Sequence, residues 1–322
     1  MDIDGKRKAS VNALPTISVV IPCYNAERYV SATLSSVFAQ DWPSLEVIVV
    51  DDGSADDSVR LIEASYPEAR LVRQANGGVA SARNAGIGCA TGEFIAFVDA
   101  DDYWLPGKLR TQWELLQANP NARMAYGAWV VWESSEPTPA PGYLATVDSI
   151  ATQRDKWTGA TGWIYPELLL DCEVWTSTVI AHRSLFEEVG VFDTGLRIGE
   201  DYDLWLRASR VTEILRVDRP TALYRMHVSN ITRKLPARNY QAEVIRKAVE
   251  RWGYLSPDGR SARPVQVRRA LARTWRNFGS MHLTAGNRVS ALQGAFEAVC
   301  LEPAHTGGWK IFFQSLLPVS VR

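Results

Sequence analysis

Cysteine is scarce in this chain: Cys23, Cys89, Cys172 and Cys300 are the four in 322 residues, far apart and without a Cys-x-x-Cys pair. That spacing supports neither a zinc site nor a disulfide framework and points to reduced thiols in a cytoplasmic setting. An excess of one charge is also missing. Thirty-five Lys and Arg against 36 Asp and Glu leave a formal net charge of -1, which gives no basis for wholesale nucleic-acid binding. No apolar run reaches the roughly 20 residues needed to span a bilayer, and the polar first 15 residues, with Lys6-Arg7-Lys8, hold no signal-peptide core. Those 15 residues are expected to form a disordered arm. There is no Gly-x-x-x-x-Gly-Lys-Ser/Thr phosphate loop, no Gly-x-Ser-x-Gly elbow, no internal repeat and no low-complexity tract.

What the chain does have is an ordered alternation of buried-strand and amphipathic-helix patterns from residue 16 to about 132, the signature of an α/β fold with a mostly parallel sheet covered on both faces. Strands are expected at Ile17–Ile21, Leu45–Val50, Ala69–Arg73, Phe94–Val98 and Met124–Val131, with helices near Glu27–Gln40, Asp56–Ser65, Val79–Cys89 and Pro106–Ala118. Glu133–Gly142 breaks the pattern as a long loop, of a kind often mobile beside a site. Residues 133–234 form a mixed second half, with a strand expected at Val174–Ala181 and helices near Arg183–Val189 and Asp201–Arg210. Residues 235–322 read as an Arg-rich helical extension. Its last segment, Trp309–Pro318, is apolar and flanked by Lys310 and Arg322, so it can either lie on a membrane surface or dock on the protein body.

Two strand patterns run into carboxylates. Phe94-Ile-Ala-Phe-Val98 leads into Asp99-Ala-Asp101-Asp102, and Leu45-Glu-Val-Ile-Val-Val50 leads into Asp51-Asp52-Gly53-Ser54. Ligands of open α/β sheets bind beyond the carboxyl ends of the strands, where clustered acids suit a divalent ion carrying a phosphorylated ligand. Each turn alone is equally well read as a polar cap. A third group, Gly199-Glu200-Asp201-Tyr-Asp203, opens a helical pattern, where a carboxylate serves as a cap or as a general base. Tyr224-Arg225-Met-His227 sets an imidazole just after an expected strand, as a structural residue or as a ligand completing a hard-cation site. Gly86-Ile-Gly88-Cys-Ala-Thr-Gly92 follows a helix and precedes a strand, the reverse of the order a dinucleotide-binding turn requires. The 12 tryptophans, Trp157, Trp163, Trp175 and Trp205 among them, offer flat faces for sugar stacking, with core packing the better reading of each one.

Across residues 16 to 232 these motifs, in this order, resemble the family 2 glycosyltransferases, inverting enzymes of the GT-A fold. Ile17-Ser-Val-Val-Ile-Pro-Cys-Tyr-Asn25 is similar to the opening strand, Val50-Asp-Asp-Gly-Ser54 to the second-strand turn, Asn76-Gly-Gly-Val-Ala-Ser-Ala-Arg-Asn-Ala-Gly86 to the next helix, Asp99-Ala-Asp101 to the DxD motif and Glu200-Asp201 to the catalytic pair. The resemblance implies a GT-A domain whose residues 16–132 bind a nucleotide-diphosphate sugar and whose residues 133–234 carry acceptor and catalytic groups. It implies that Pro22, Tyr24 and Asp51 line the base and ribose pocket, that Arg83 lies near the nucleotide and that Asp99 faces the ribose or the metal. It implies Mn²⁺ or Mg²⁺ on Asp101, with His227 sharing that role, Asp201 as base and Glu200 orienting the acceptor or Asp201. It further implies a UDP-sugar donor, a saccharide or lipid-linked saccharide acceptor, and cell-surface polysaccharide or glycolipid synthesis on the cytoplasmic face of a membrane. The Gln-x-x-Arg-Trp sequence of processive synthases is missing, which favours single additions.

Three other readings compete. A sugar-phosphate nucleotidyltransferase would need a Gly-rich opening loop, where this chain has Pro22-Cys-Tyr-Asn25. A hydrolase pairing Asp101 with Asp201 would leave the nucleotide motifs unexplained. A catalytically silent nucleotide-sugar-binding or assembly protein would keep the fold without the chemistry.

Overall fold

The computed structural model describes residues 14–153, 156–227, 230 and 234–317. The expected N-terminal arm lies almost wholly outside the described residues. Its last two residues are held to the body: Leu14 packs against the core, and the Pro15 carbonyl accepts the Trp42 indole N–H at 2.9 Å.

In chain order the elements are β1 (Ile17–Cys23), α1 (Val30–Phe38), β2 (Leu45–Asp51), α2 (Ser58–Ser65), β3 (Arg70–Arg73), α3 (Val79–Cys89), β4 (Phe94–Phe97), β5 (Tyr103–Trp104), α4 (Lys108–Ala118) and β6 (Met124–Glu133). They continue with α5 (Pro141–Ala151), α6 (Tyr165–Leu168), β7 (Ile180–His182), α7 (Arg183–Val189), α8 (Glu200–Ala208), β8 (Ile214–Met226), α9 (Tyr240–Trp252), α10 (Pro264–Thr284), α11 (Arg288–Leu301) and α12 (Thr306–Leu316). The strands form one sheet in the order β3-β2-β1-β4-β7-β6-β8-β5. The first four are parallel; β7 runs antiparallel to both β4 and β6, and β6 pairs parallel with β8.

Every residue of β1 is buried, as expected of a strand with helices on both faces. Alternation then divides the strands between two cores. Val20, Ile48, Val50 and Phe97 meet α3, α7, α8 and α9 through Ala82, Phe186, Trp205 and Val244. Val19, Ile21, Val49 and Ala96 meet α1, α2 and α4 through Leu34, Ile62 and Leu109. The parallel strands β1, β2 and β4 all end at one rim, where the acidic turns are.

The expected strand Val174–Ala181 is shorter than its β-branched residues imply. Thr176–Thr178 turn as a 3-10 segment, and only Ile180–His182 pair in the sheet. The hydroxyls of Thr176 and Ser177 instead bind Asp201 and Asp102, a side-chain use that competes with strand geometry. The Glu133–Gly142 loop is tied down, because the Arg225 guanidinium donates to the Glu136 carbonyl and, at 2.8 Å, to that of Pro137.

Trp309–Leu317 docks and is exposed at once. Ile311 and Ser315 are buried, while Phe313 on the opposite side of α12 is 59% exposed. No helix among the described residues is long and apolar enough to cross a membrane.

Of the three glycines in Gly86–Gly92, Gly86 and Gly92 serve packing, while a Cβ on Gly88 would meet nothing within 4 Å. A Cβ on Gly86 would stand 2.3 Å from Val20 Cγ1, and one on Gly92 would stand 2.7 Å from the Ser18 nitrogen and the Thr16 oxygen. Gly86 therefore sets how closely α3 approaches β1. Gly86→Val should lower unfolding free energy by about 1–3 kcal/mol. Urea denaturation checks this, and an unchanged midpoint would show that α3 can move away without cost.

Candidate active site

The two acidic turns are built differently. At the end of β2, Asp52 is buried and fully engaged: Oδ1 accepts the Gln74 amide at 2.7 Å and the Gly77 N–H at 2.8 Å, and Oδ2 accepts the Gly78 N–H at 2.8 Å. It fixes the chain that leads into α3. Asp51 is buried beside it and accepts the Ser54 N–H at 3.2 Å. Pro22 lies in β1 opposite Val50, and Tyr24 just beyond is 54% exposed. Asn25, at a left-handed φ of 49°, donates its N–H to Ser54 Oγ and accepts the Ala55 N–H. Pro22, Tyr24 and Asp51 thus share the rim formed by the ends of β1 and β2. Burial next to Asp51 pushes the Cys23 thiol up to about 12, so it is no nucleophile.

The second turn is joined to the later half of the chain by Arg83. From α3, its Nη2 donates to Asp99 Oδ1 and its Nη1 to Glu200 Oε1, each at 2.7 Å. The arginine side chain is 4% exposed and stacks on Phe192 at 5.3 Å, while its Nε has no hydrogen-bond partner among the described residues. Burial works against its charge, but Asp99 and Glu200 outweigh burial and hold it protonated above its ordinary range. Asp99 is raised by burial, with Arg83 opposing. Glu200 is pushed up from 4.5 to about 7 by burial and then by the charge of Asp201, against the pull of Arg83.

Glu200 and Asp201 sit in the first turn of α8, after Gly199 in the left-handed conformation. Glu200 turns inward to Arg83. Asp201 accepts Thr176 Oγ1–H at 2.9 Å on Oδ2 and the Tyr202 N–H at 2.7 Å on Oδ1. Across the DxD turn, Asp101 Oδ2 lies 2.9 Å from His227 Nε2, and the His227 ring packs on Tyr29 with centroids 4.8 Å apart.

Asp102 is excluded from this outward group. It is 1% exposed, accepts Ser177 Oγ–H at 2.5 Å, the Trp175 indole at 3.3 Å and the Arg225 N–H at 3.1 Å, and burial raises it well above the usual carboxylate range. Sequence reasoning missed Arg225, whose guanidinium is buried between Tyr29 and Trp132 and donates through Nε to the Asp101 carbonyl at 2.7 Å. It also missed Thr176 and Ser177. No periodicity marks a buried arginine or a turn hydroxyl; only the Tyr-Arg-Met-His spacing pointed to the vicinity.

Asp101 and His227 offer one carboxylate and one imidazole, and no group of three or more His, Cys, Asp or Glu is gathered for a metal among the described residues. That donor set fits Mn²⁺ or Mg²⁺ arriving with phosphate oxygens from a bound ligand, and is too small for a resident ion held by protein alone.

The raised Glu200 carboxyl has a consequence for stability. Its native pKa of about 7 exceeds the unfolded 4.5, so its contribution is complete below 4.5 and is lost as pH rises through 7. Urea denaturation between about pH 5 and pH 8 should show a decline in wild-type stability that Glu200→Gln flattens. Equal slopes in the two proteins would place the titration elsewhere.

Comparison with known proteins gives the family. Residues 18–168 match the family model described as Glycosyl transferase family 2. The chain is 31% identical over 192 residues, 59% of its own length and 68% of the relative's, to the Escherichia coli UDP-Glc:alpha-D-GlcNAc-diphosphoundecaprenol beta-1,3-glucosyltransferase WfgD. It spans from 48% to 66% of the length of three further curated bacterial relatives that it matches. Residues 1–349 of S. aureus TarS, in complex with UDP-GlcNAc, superpose with a TM-score of 0.62 at 19% identity, covering 93% of this chain and 89% of that one. The mannosyltransferase PcManGT from Pyrobaculum calidifontis, with GDP-Man and Mn²⁺, gives 0.52 at 18% identity, covering 94% and 84%. The fold is the GT-A fold with a C-terminal helical extension, and the chain belongs to the family 2 glycosyltransferases.

Proposed function

We propose that this glycosyltransferase is inverting and moves one sugar at a time from a nucleoside diphosphate, UDP in our reading, to an acceptor hydroxyl. The observation that carries the proposal is the Arg83 clamp on Asp99 and Glu200. It sets the DxD turn against the start of α8, with the Asp101–His227 pair and the partly exposed Asp201 carboxylate beside it. The names of WfgD and of the UDP-GlcNAc and GDP-Man complexes support a nucleotide-sugar donor.

Pro22, Tyr24 and Asp51 would receive base and ribose at the β1–β2 rim, and Asp99 the ribose edge. Asp101 and His227 would hold Mn²⁺ or Mg²⁺, whose contribution is to neutralise charge developing on the departing diphosphate. Asp201, fixed by Thr176 and the Tyr202 N–H, still has lone pairs with which to accept a hydrogen bond from an acceptor hydroxyl. As that oxygen bonds to the anomeric carbon from the face opposite the diphosphate, the carbon–phosphate-oxygen bond breaks and the hydroxyl proton passes to Asp201. Arg83 and Glu200 orient these groups without touching the reacting atoms.

A lipid-linked saccharide acceptor, in cell-surface polysaccharide or glycolipid synthesis, accords with WfgD. The exposed face of α12, with Trp309, Phe313 and Leu316 beside Lys310, is suited to peripheral contact with the cytoplasmic leaflet.

Calorimetry with UDP, GDP and dTDP, with and without Mn²⁺, should give metal-dependent binding of one nucleotide that Asp101→Ala abolishes. Asp201→Asn should retain that binding and lower turnover by about 10²- to 10⁴-fold. Binding of no nucleotide would indicate a silent relative, and surviving turnover in Asp201→Asn would remove the base assignment.

A further inference from the structure

Among the described residues, three aromatic side chains beside the site fall in none of the hydrophobic core clusters. β6 and β8 pair in parallel with a register irregularity at Gly127–Trp129. Beyond it, Trp132 and Leu223 turn to one face and pack with Leu105 and Val147, while Arg225 stacks on Trp132. Strand alternation therefore sends Trp129, Val131 and Tyr224 to the opposite face. Val131 is 50% exposed there, and Trp129 and Tyr224 are half-buried.

Trp175, from the turn before β7, completes the row. Its ring centroid lies 4.3 Å from Tyr224 and 5.9 Å from Trp129. Trp205, by contrast, is wholly buried in the core against Phe97 and Phe192. The Trp175 indole N–H is anchored on Asp102, and the next residue, Thr176, holds Asp201. The row thus begins between the DxD turn and the candidate base.

We propose that Trp129, Trp175 and Tyr224 form the acceptor subsite, a ledge on which a pyranoside ring stacks and turns one hydroxyl to Asp201. A pyranose ring has an apolar C–H face and a rim of hydroxyls. Indole and phenol rings match the first, and a carboxylate at the ledge's end matches the second. Asp102 aids binding indirectly, by fixing the orientation of Trp175. The inference rests on the transferase reading and adds to it the residues that hold and select the acceptor ring.

Saturation-transfer NMR tests this with the methyl pyranosides of glucose, galactose, mannose and N-acetylglucosamine, added to the full chain with saturating UDP and Mn²⁺. At least one pyranoside should receive saturation on the C–H protons of a single ring face. Trp129→Ala should weaken its binding by about tenfold and Trp129→Phe should largely restore it. UDP affinity measured on the same samples reports separately on the transferase reading and on folding. Equal saturation in wild type and Trp129→Ala, displacement of the pyranoside by a UDP-sugar, or no transfer to any of the four would overturn the ledge.

Discussion

A buried guanidinium needs anionic partners, and much of this site follows from how Arg83 finds them. It stands on α3, takes Asp99 from the end of β4 and takes Glu200 from the first turn of α8, 117 residues further on. Removing one member of such a buried group costs on the order of 3–5 kcal/mol, because the others are left charged and unpaired. The clamp therefore specifies where α8 starts relative to the sheet rim, and with it the position of Asp201.

Arg225 makes the second tie by different means. Its charge is stacked between Tyr29 and Trp132 and its donors go to backbone carbonyls of Asp101, Glu136 and Pro137. One side chain thereby connects the DxD turn, the β6–α5 loop and the strand that delivers His227. A loop whose composition implies mobility is anchored by a residue far along the chain.

Within these ties the acidic residues divide by environment. Asp52 and Asp102 are enclosed by donors and act as anchors, and Glu200 is enclosed with Arg83. Asp101 and Asp201 are each only partly buried and are supported by one or two hydrogen bonds. The chemically identical neighbours Asp101 and Asp102 thus sit in opposite environments.

The sequence by itself determined the alternation of strands and helices through residue 132 except for the two-residue β5, because apolar periodicity reports burial directly over longer runs, and it located the acidic groups at Asp51-Asp52, Asp99–Asp102 and Glu200–Asp203. Its motif order also placed the chain in its family and named the rim residues. Only the tertiary structure decided that β7 is short and antiparallel, that Asp102 and Glu200 face inward, and that Arg225, Thr176 and Ser177 support the site. Periodicity is a local signal, whereas these outcomes depend on which groups from distant segments meet at the sheet's rim and compete for one another's hydrogen bonds.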